Sequence, residues 1–134
     1  MNNYIKRGLI ALGLSAVSMA SQAQVAVIMG PSAAPITKDQ LSNIYLGRSF
    51  ELKPVDLPEG SALRDQFYKK ATDRDSSQIK ATWSRIVFTG KGQAPLILQD
   101  AAAVKKAVAG DPKAIGYIDK AAVDGSVKVV FSLD

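Results

Sequence analysis

The 134-residue sequence contains neither cysteine nor histidine. Without cysteine there are no disulfides and no thiolate nucleophiles, and without histidine the commonest general base and metal ligand are missing. Oxygen ligands for calcium or magnesium remain, but no run of the Asp-x-Asp-x-Asp-Gly type occurs. We therefore predict no metal and no cofactor.

Residue combinations typical of hydrolytic and transfer enzymes are also scarce. A serine has no histidine here to activate it as a nucleophile. Two pairs of carboxylates are close in sequence, Asp73 with Asp75 and Asp56 with Glu59. Both pairs fall in predicted turns and caps, and nothing in the sequence marks them as a catalytic acid–base pair. We predict that the protein is not an enzyme.

Residues 1–23 have the pattern of a cleavable export signal. A basic start is followed by an apolar run from 9 to 20, which is too short to span a bilayer. Ser21-Gln22-Ala23 has the small-x-small pattern of a cleavage site, and Ser18-Met19-Ala20 is the alternative. We predict a periplasmic mature chain, 24–134, that keeps no stable membrane span after cleavage.

Cleavage would also lower the charge of the protein. Removing Lys6 and Arg7 from a formal net charge of +5 leaves +3. The remaining basic residues are scattered, and no basic stripe with interleaved aromatic residues indicates nucleic-acid binding. A mild positive charge favours small anions without identifying one.

Hydrophobic periodicity predicts alternating strands and helices in residues 24–134. Short apolar runs predict strands, and Ser, Thr or Asp residues placed to cap a first turn predict where helices begin. A stripe of Ile79, Trp83, Ile86 and Val87 is spaced as the core face of one helix. The predicted strands are 25–29, 52–57, 114–118 and 127–131, and the predicted helices begin at Thr37, Ser61, Asp75 and Asp100. We predict one α/β domain with a mixed sheet flanked by helices.

The segment Gly60-Ser61-Ala62-Leu63-Arg64 is the candidate ligand-binding site. It follows a predicted strand and opens a helix, whose N-terminus presents unpaired N–H groups and a partial positive charge. Ser61 adds a hydroxyl, and Arg64 adds a fixed cation. This arrangement favours a small oxyanion or carboxylate. Ser61 acting only as a helix cap is the alternative, with Arg64 paired on the surface to Asp65, Asp56 or Glu59.

Five motifs in order then give the chain a family resemblance. The chain resembles the phosphate-type periplasmic binding proteins of ABC importers, which have the type II periplasmic binding protein fold. The motifs cover nearly all of residues 25–123. They are Leu41 to Arg48 (LSNIYLGR), Gly60 to Arg64 with Phe67, Trp83 with Gly90-Lys91-Gly92, Val104 to Val108, and Ala114 to Ile118 (AIGYI).

This resemblance implies phosphate binding at the Gly60–Arg64 turn, but it extends over only one lobe of a two-lobe clamp. The turn also departs from the family pattern, since Ala62 replaces a glycine and Leu63 replaces a hydroxyl residue. In addition, Asp56 and Leu57 stand where the family often has an arginine. The resemblance implies that Ser61, Arg64 and the helix N-terminus are kept, while the rest of the phosphate shell is altered.

Two hypotheses of function follow. The first is a secreted solute-binding protein related to phosphate ABC importers, which binds phosphate or a similar oxyanion and has an ABC permease as its implied partner. The second is a periplasmic interaction module that has lost its ligand. It would use the exposed cleft face to bind another envelope protein or a second copy of itself, because exposed apolar patches commonly mark interfaces.

Overall fold

A computed structural model describes residues 24–134. The predicted export signal, 1–23, lies outside the described residues, so its cleavage stays a prediction. Among residues 24–134, no helix is both long and apolar enough to cross a membrane. Within residues 24–134, one 3₁₀ turn, Lys120–Ala122, accompanies nine helices and strands. In chain order these are β1 (Val25–Met29), α1 (Lys38–Tyr45), β2 (Lys53–Asp56), α2 (Ala62–Thr72), α3 (Ser76–Phe88), β3 (Leu96–Ile97), α4 (Ala101–Gly110), β4 (Ala114–Asp119) and β5 (Lys128–Leu133).

Capping side chains set where the helices begin. At α1, Thr37 Oγ1 accepts the Gln40 N–H at 3.1 Å and Gln40 Oε1 accepts the Thr37 N–H at 2.8 Å, which is a reciprocal capping box. Asp75 and Gln78 form the same box at α3, and Asp100 caps α4. Each cap satisfies a backbone donor that the first helical turn leaves free. All four predicted helix starts are confirmed.

The five strands form one mixed sheet in the order β3-β2-β4-β1-β5. β2 lies between β3 and β4 and is parallel to both, whereas β1 is antiparallel to β4 and β5. The carboxyl ends of three neighbouring strands therefore meet at one edge of the sheet. The predicted fold class, α/β with a mixed sheet, is confirmed.

Helices cover both faces of the sheet. In β4, the ring of Tyr117 stacks on Phe67 of α2, with centroids 3.9 Å apart. A Cβ on the adjacent Gly116 would lie 2.6 Å from Cγ1 of Val104 in α4. Because successive strand residues point to opposite faces, α2 and α4 lie on opposite sides. The absence of a side chain at Gly116 allows α4 to approach closely.

Three details differ from the sequence predictions. Strands β2 and β5 are displaced at their ends from the predicted 52–57 and 127–131. β3 was not predicted, because two residues are too few to show a period. Val87, placed in the predicted core stripe, is 49% exposed, since it lies at the margin of that stripe.

Candidate functional site

The candidate site lies where β2 ends and α2 begins. Asp56 is the last residue of β2, and the chain then turns so that α2 starts at Ala62. Gly60 has a φ of +92°, a conformation that glycine adopts without steric cost. In open α/β sheets, ligands bind in the crevice outside the carboxyl ends of the strands. The turn therefore has the right topological position for a binding site.

Asp56 is the centre of a buried polar network at this position. It is only 2% exposed. Its Oδ1 accepts the N–H of Leu57 at 2.9 Å and also the hydroxyl of Tyr117. Its Oδ2 accepts the hydroxyl of Tyr68 at 2.5 Å. These donors hold the carboxylate in one orientation and compensate for the water that burial removes.

Arg64 lies against this carboxylate and is itself 6% exposed. Its Nη1 donates to the carbonyl of Leu57 at 3.3 Å, and its Nε lies 3.8 Å from Asp56 Oδ1. The guanidinium carbon is 5.4 Å from the ring centroid of Tyr68, within cation–π range. Arg64 Nε has no hydrogen-bond acceptor among residues 24–134. The guanidinium is thus neutralised by Asp56 but keeps one unused donor.

This pairing corrects one alternative from the sequence. A surface ion pair of Arg64 with Asp65, Asp56 or Glu59 was considered, but the partner is Asp56 and the pair is buried. Attraction between charges is screened much less in the interior than at the surface. Removing either partner would leave an uncompensated charge in the interior.

Tyr68 and Tyr117 act as fixed donors to Asp56. Burial raises the pKa of both phenols well above the ordinary value of 10.0, and the negative charge of Asp56 raises it further. Both hydroxyls therefore stay protonated at neutral pH. Tyr45 lies edge-on to both rings and donates its own hydroxyl to the Val55 carbonyl at 2.7 Å. The aromatic cluster fixes the end of β2.

Ser61 acts as the N-cap of α2. Its Oγ accepts the N–H of Arg64 at 3.2 Å, and its carbonyl accepts the N–H of Asp65 at 3.1 Å. The N–H groups of Ala62 and Leu63 precede the first intrahelical bond and are the open donors of this end. Ser61 thus caps the helix, and the open donors of this end are backbone groups.

A cleft of about 680 Å³ opens beside the Asp56–Arg64 pair. Of the five candidate residues Gly60 to Arg64, only Arg64 lines it. Two basic side chains, Arg64 and Lys80, face two acidic ones, Asp56 and Glu59, so the charges of the lining cancel. The remaining lining residues are Pro58, Ile79, Trp83, Ser84, Val87, Phe88, Ala94, Pro95 and Ile97.

Two residues of the family-like motifs differ in their relation to the cleft. Trp83, predicted on the core face of α3, is buried, also lines the cleft and donates Nε1–H to the Tyr45 carbonyl at 3.0 Å. Lys91 is exposed and is not part of the cleft lining.

The chemistry of the described residues gives little support for catalysis. Within residues 24–134, no group of three or more acidic side chains is placed to hold a metal ion. A Ser-x-x-Lys spacing does occur from Ser77 to Lys80 at the start of α3. The Ser77 hydroxyl, however, donates to Asp75 Oδ1 at 2.8 Å as part of the cap. The hydroxyl of Ser77 therefore contributes to the N-terminal cap of α3.

Sequence reasoning missed the Asp56, Tyr68 and Tyr117 cluster. Asp56 was treated as a turn residue, and neither tyrosine was named as a candidate. The two tyrosines lie 12 and 61 residues after Asp56 in sequence. No local spacing joins them, so only the three-dimensional fold shows that they share one carboxylate.

The fold has counterparts among known structures. The chain has the fold of one lobe of phosphate ABC transporter substrate-binding proteins, as its sequence resemblance implied. Neither a protein-family model nor a curated protein sequence matches it.

Three solved structures show this likeness. An ABC-type phosphate transport receptor from Vibrio cholerae is 21% identical with a TM-score of 0.63, over 81% of this chain and 47% of that one. A putative phosphate ABC transporter substrate-binding protein with bound phosphate from Clostridium perfringens is 23% identical with a TM-score of 0.63, over 81% and 45%. PstS from Borrelia burgdorferi is 14% identical with a TM-score of 0.57, over 81% and 47%. This chain spans less than half the length of each.

Proposed function

We propose that this chain is a solute-binding protein that holds phosphate or a similar small oxyanion at the turn from β2 into α2. The observation that carries the proposal is Arg64, a buried cation whose side chain lines the cleft. An oxyanion in the cleft would gain a charge-assisted contact with this guanidinium.

The N-terminus of α2 adds a favourable field. Ala62 and Leu63 precede Arg64 in the first turn and do not line the cleft, but the helix dipole favours negative charge at this end. Asp56 works in the opposite direction, because its carboxylate already neutralises Arg64. We therefore expect weaker binding than an unpaired buried arginine would provide.

Transport is the biological role that fits this chemistry. Structures of the same fold are described as a phosphate transport receptor and a phosphate ABC transporter substrate-binding protein. By analogy, the protein would be exported by the signal at 1–23 and would deliver its solute to an ABC permease. This assignment rests on fold likeness and on the site chemistry together.

Calorimetric titration of the purified protein with phosphate, and separately with sulfate, tests the proposal. We expect saturable heat with phosphate that is lost in Arg64→Gln. Because Arg64→Gln alone leaves Asp56 buried without its partner, the double variant Asp56→Asn/Arg64→Gln is measured beside it. Lys91→Gln is the matched control, since Lys91 is a basic residue outside the cleft lining.

The outcomes of this titration separate the alternatives clearly. Equal loss of binding in Lys91→Gln and Arg64→Gln would show that only net charge matters. Flat heats with both anions in the unaltered protein would contradict the proposed function.

The second candidate function, an interaction module, is favoured by one observation. β3 is an edge strand, and Leu96 on it is 60% exposed while the nearby Phe88 is 90% exposed. An exposed edge strand with apolar side chains can pair with another chain. Sedimentation velocity over a concentration series checks self-association. A monomer at every concentration would count against the version of this candidate in which a second copy is the partner.

A further inference from the structure

The cleft beside Arg64 is much larger than an inorganic oxyanion needs. Its volume of about 680 Å³ lies within the range of sites for organic ligands, roughly 300–1,000 Å³. Phosphate has only five heavy atoms, so it would leave most of this space to water. The size of the cleft therefore favours an organic ligand that has a larger non-ionic part in addition to its anionic group.

The cleft wall is apolar along one side. Ile79, Trp83 and Val87 recur at four-residue spacing on α3, and Phe88 follows at its end. Ile97 of β3 also lines the cleft. This lining is of the kind that holds the apolar part of a small molecule, with a few polar groups fixing its orientation.

Three of these apolar side chains are open to water. Phe88 is 90% exposed, Val87 is 49% exposed and Ile97 is 44% exposed. Their position in the lining means that a bound organic body would cover apolar area that is otherwise hydrated. Leu96 is equally apolar and 60% exposed, but it does not line the cleft. It provides a matched comparison.

Electrostatics at the cleft points to the same kind of ligand. Arg64 and Lys80 are balanced by Asp56 and Glu59, so net charge adds little to the affinity for a bare anion. Arg64 is the buried basic residue of the lining. It provides the contact for an oxyanion group, and the rest of the affinity is left to apolar contact.

We infer that the solute is an organic anion, with a phosphate or carboxylate group at Arg64 and an apolar body against Val87, Phe88 and Ile97. This inference rests on the proposed function, since both place an oxyanion at Arg64. It goes beyond it by naming the class of solute. Compounds such as aryl or alkyl monoesters of phosphate have this chemistry.

Fluorescence of Trp83, the only tryptophan of the chain, reports directly on the cleft wall. The purified protein is titrated with phenyl phosphate, inorganic phosphate and phenol in the same buffer, with calorimetry in parallel. We expect phenyl phosphate to bind at least about ten-fold more tightly than inorganic phosphate, because its ring covers apolar surface. Phenol lacks the oxyanion and should bind far more weakly than phenyl phosphate.

Phe88→Ser and Leu96→Ser form the variant pair. Both side chains are exposed, so neither change should affect folding. Phe88→Ser should weaken phenyl phosphate binding at least about three-fold and leave inorganic phosphate unchanged, and Leu96→Ser should change neither. Equal effects of the two variants would overturn the inference.

The ligand comparison keeps this inference separate from the proposed function. Equal affinities for phenyl phosphate and inorganic phosphate would overturn the inference while leaving the proposed function intact. Phenol binding as tightly as phenyl phosphate would overturn the inference too, since the oxyanion would then not be recognised. If neither phosphate compound gave a fluorescence change or heat, both the inference and the proposed function would fall.

Discussion

Asp56 and Arg64 lie against each other at the end of β2, and the balance between them sets how strongly the cleft attracts an anion. Both are nearly inaccessible to water, at 2% and 6% exposure. Asp56 cancels the charge of the guanidinium, while Arg64 still lines the cleft. The same carboxylate therefore stabilises the arginine and limits its use as an anion ligand.

Replacing Asp56 by asparagine separates these two effects. Asp56→Asn should lower the free energy of unfolding by about 3 kcal/mol, because it leaves a buried arginine without its counter-charge. It should also tighten phosphate binding, because Arg64 then presents an uncompensated charge. Urea denaturation and calorimetric titration measure the two quantities.

The control for this change is Asp124→Asn. Asp124 pairs with Lys105 at 2.8 Å on the surface, where an ion pair contributes little. A loss of stability in Asp56→Asn no larger than in the control would contradict the account of the buried pair.

We expect three buried tyrosines to make the free energy of unfolding depend on pH in alkali. Burial raises the pKa of Tyr45, Tyr68 and Tyr117 above 10.0, and the charge of Asp56 adds to the rise. Above about pH 10 the unfolded chain releases these protons while the folded chain keeps them, so stability falls as pH rises. Each tyrosine contributes up to about 1.4 kcal/mol per pH unit. Stability from these groups is fully present below pH 10.

Urea midpoints measured on either side of pH 10 check this prediction. The double variant Tyr68→Phe/Tyr117→Phe should be less stable at neutral pH, because it removes two donors to Asp56, and its stability should fall less steeply in alkali. The same slope in the variant and in the unaltered protein would show that these phenols are not the titrating groups.

At the scale of elements, the end of α1 depends on a glycine packed against α3. Gly47 has a φ of +71°, and a Cβ there would lie 2.2 Å from Cδ1 of Ile86. Trp83 of α3 reaches the same region and donates to the carbonyl of Tyr45. This contact holds α3, and with it one wall of the cleft, against α1.

Gly47→Ala should lower the free energy of unfolding by about 2–4 kcal/mol, through left-handed backbone strain and overpacking together. Gly60→Ala is the matched control, because Gly60 has a φ of +92° but open space around it. It should show only the backbone part, about 1 kcal/mol. Thermal or urea unfolding measures both, and equal losses would show that packing of α1 on α3 contributes nothing.

At the scale of the whole molecule, local sequence patterns predict where the helices and most strands lie. The arrangement of the site depends on contacts between residues that are distant in sequence. Thr37, Ser61, Asp75 and Asp100 mark helix starts because caps act within one turn. β3 was not predicted, because it is stabilised by pairing with β2 and not by a pattern within its own two residues.

The site was predicted only in part, for the same physical reason. The sequence indicates Arg64 as a cation at a helix N-terminus, which holds. It does not indicate that the guanidinium is buried against Asp56, or that Tyr117 completes the network from another strand. Contacts over such separations are set by the sheet order, which no local period encodes. The sequence indicates the apolar stripe of α3 that forms the cleft wall. It does not indicate that the C-terminal end of this stripe is exposed.

The most direct test of the central claim is nitrogen-15 NMR of the arginine Nε–H groups during titration with phosphate. The cross-peak of Arg64 is assigned by its absence in Arg64→Gln and should be protected from exchange, because the group is buried. We predict that it shifts in a saturable manner while Arg48, Arg74 and Arg85 stay unchanged. A titration in which the Arg64 cross-peak does not move, or moves no more than those of Arg48, Arg74 and Arg85, would contradict the account.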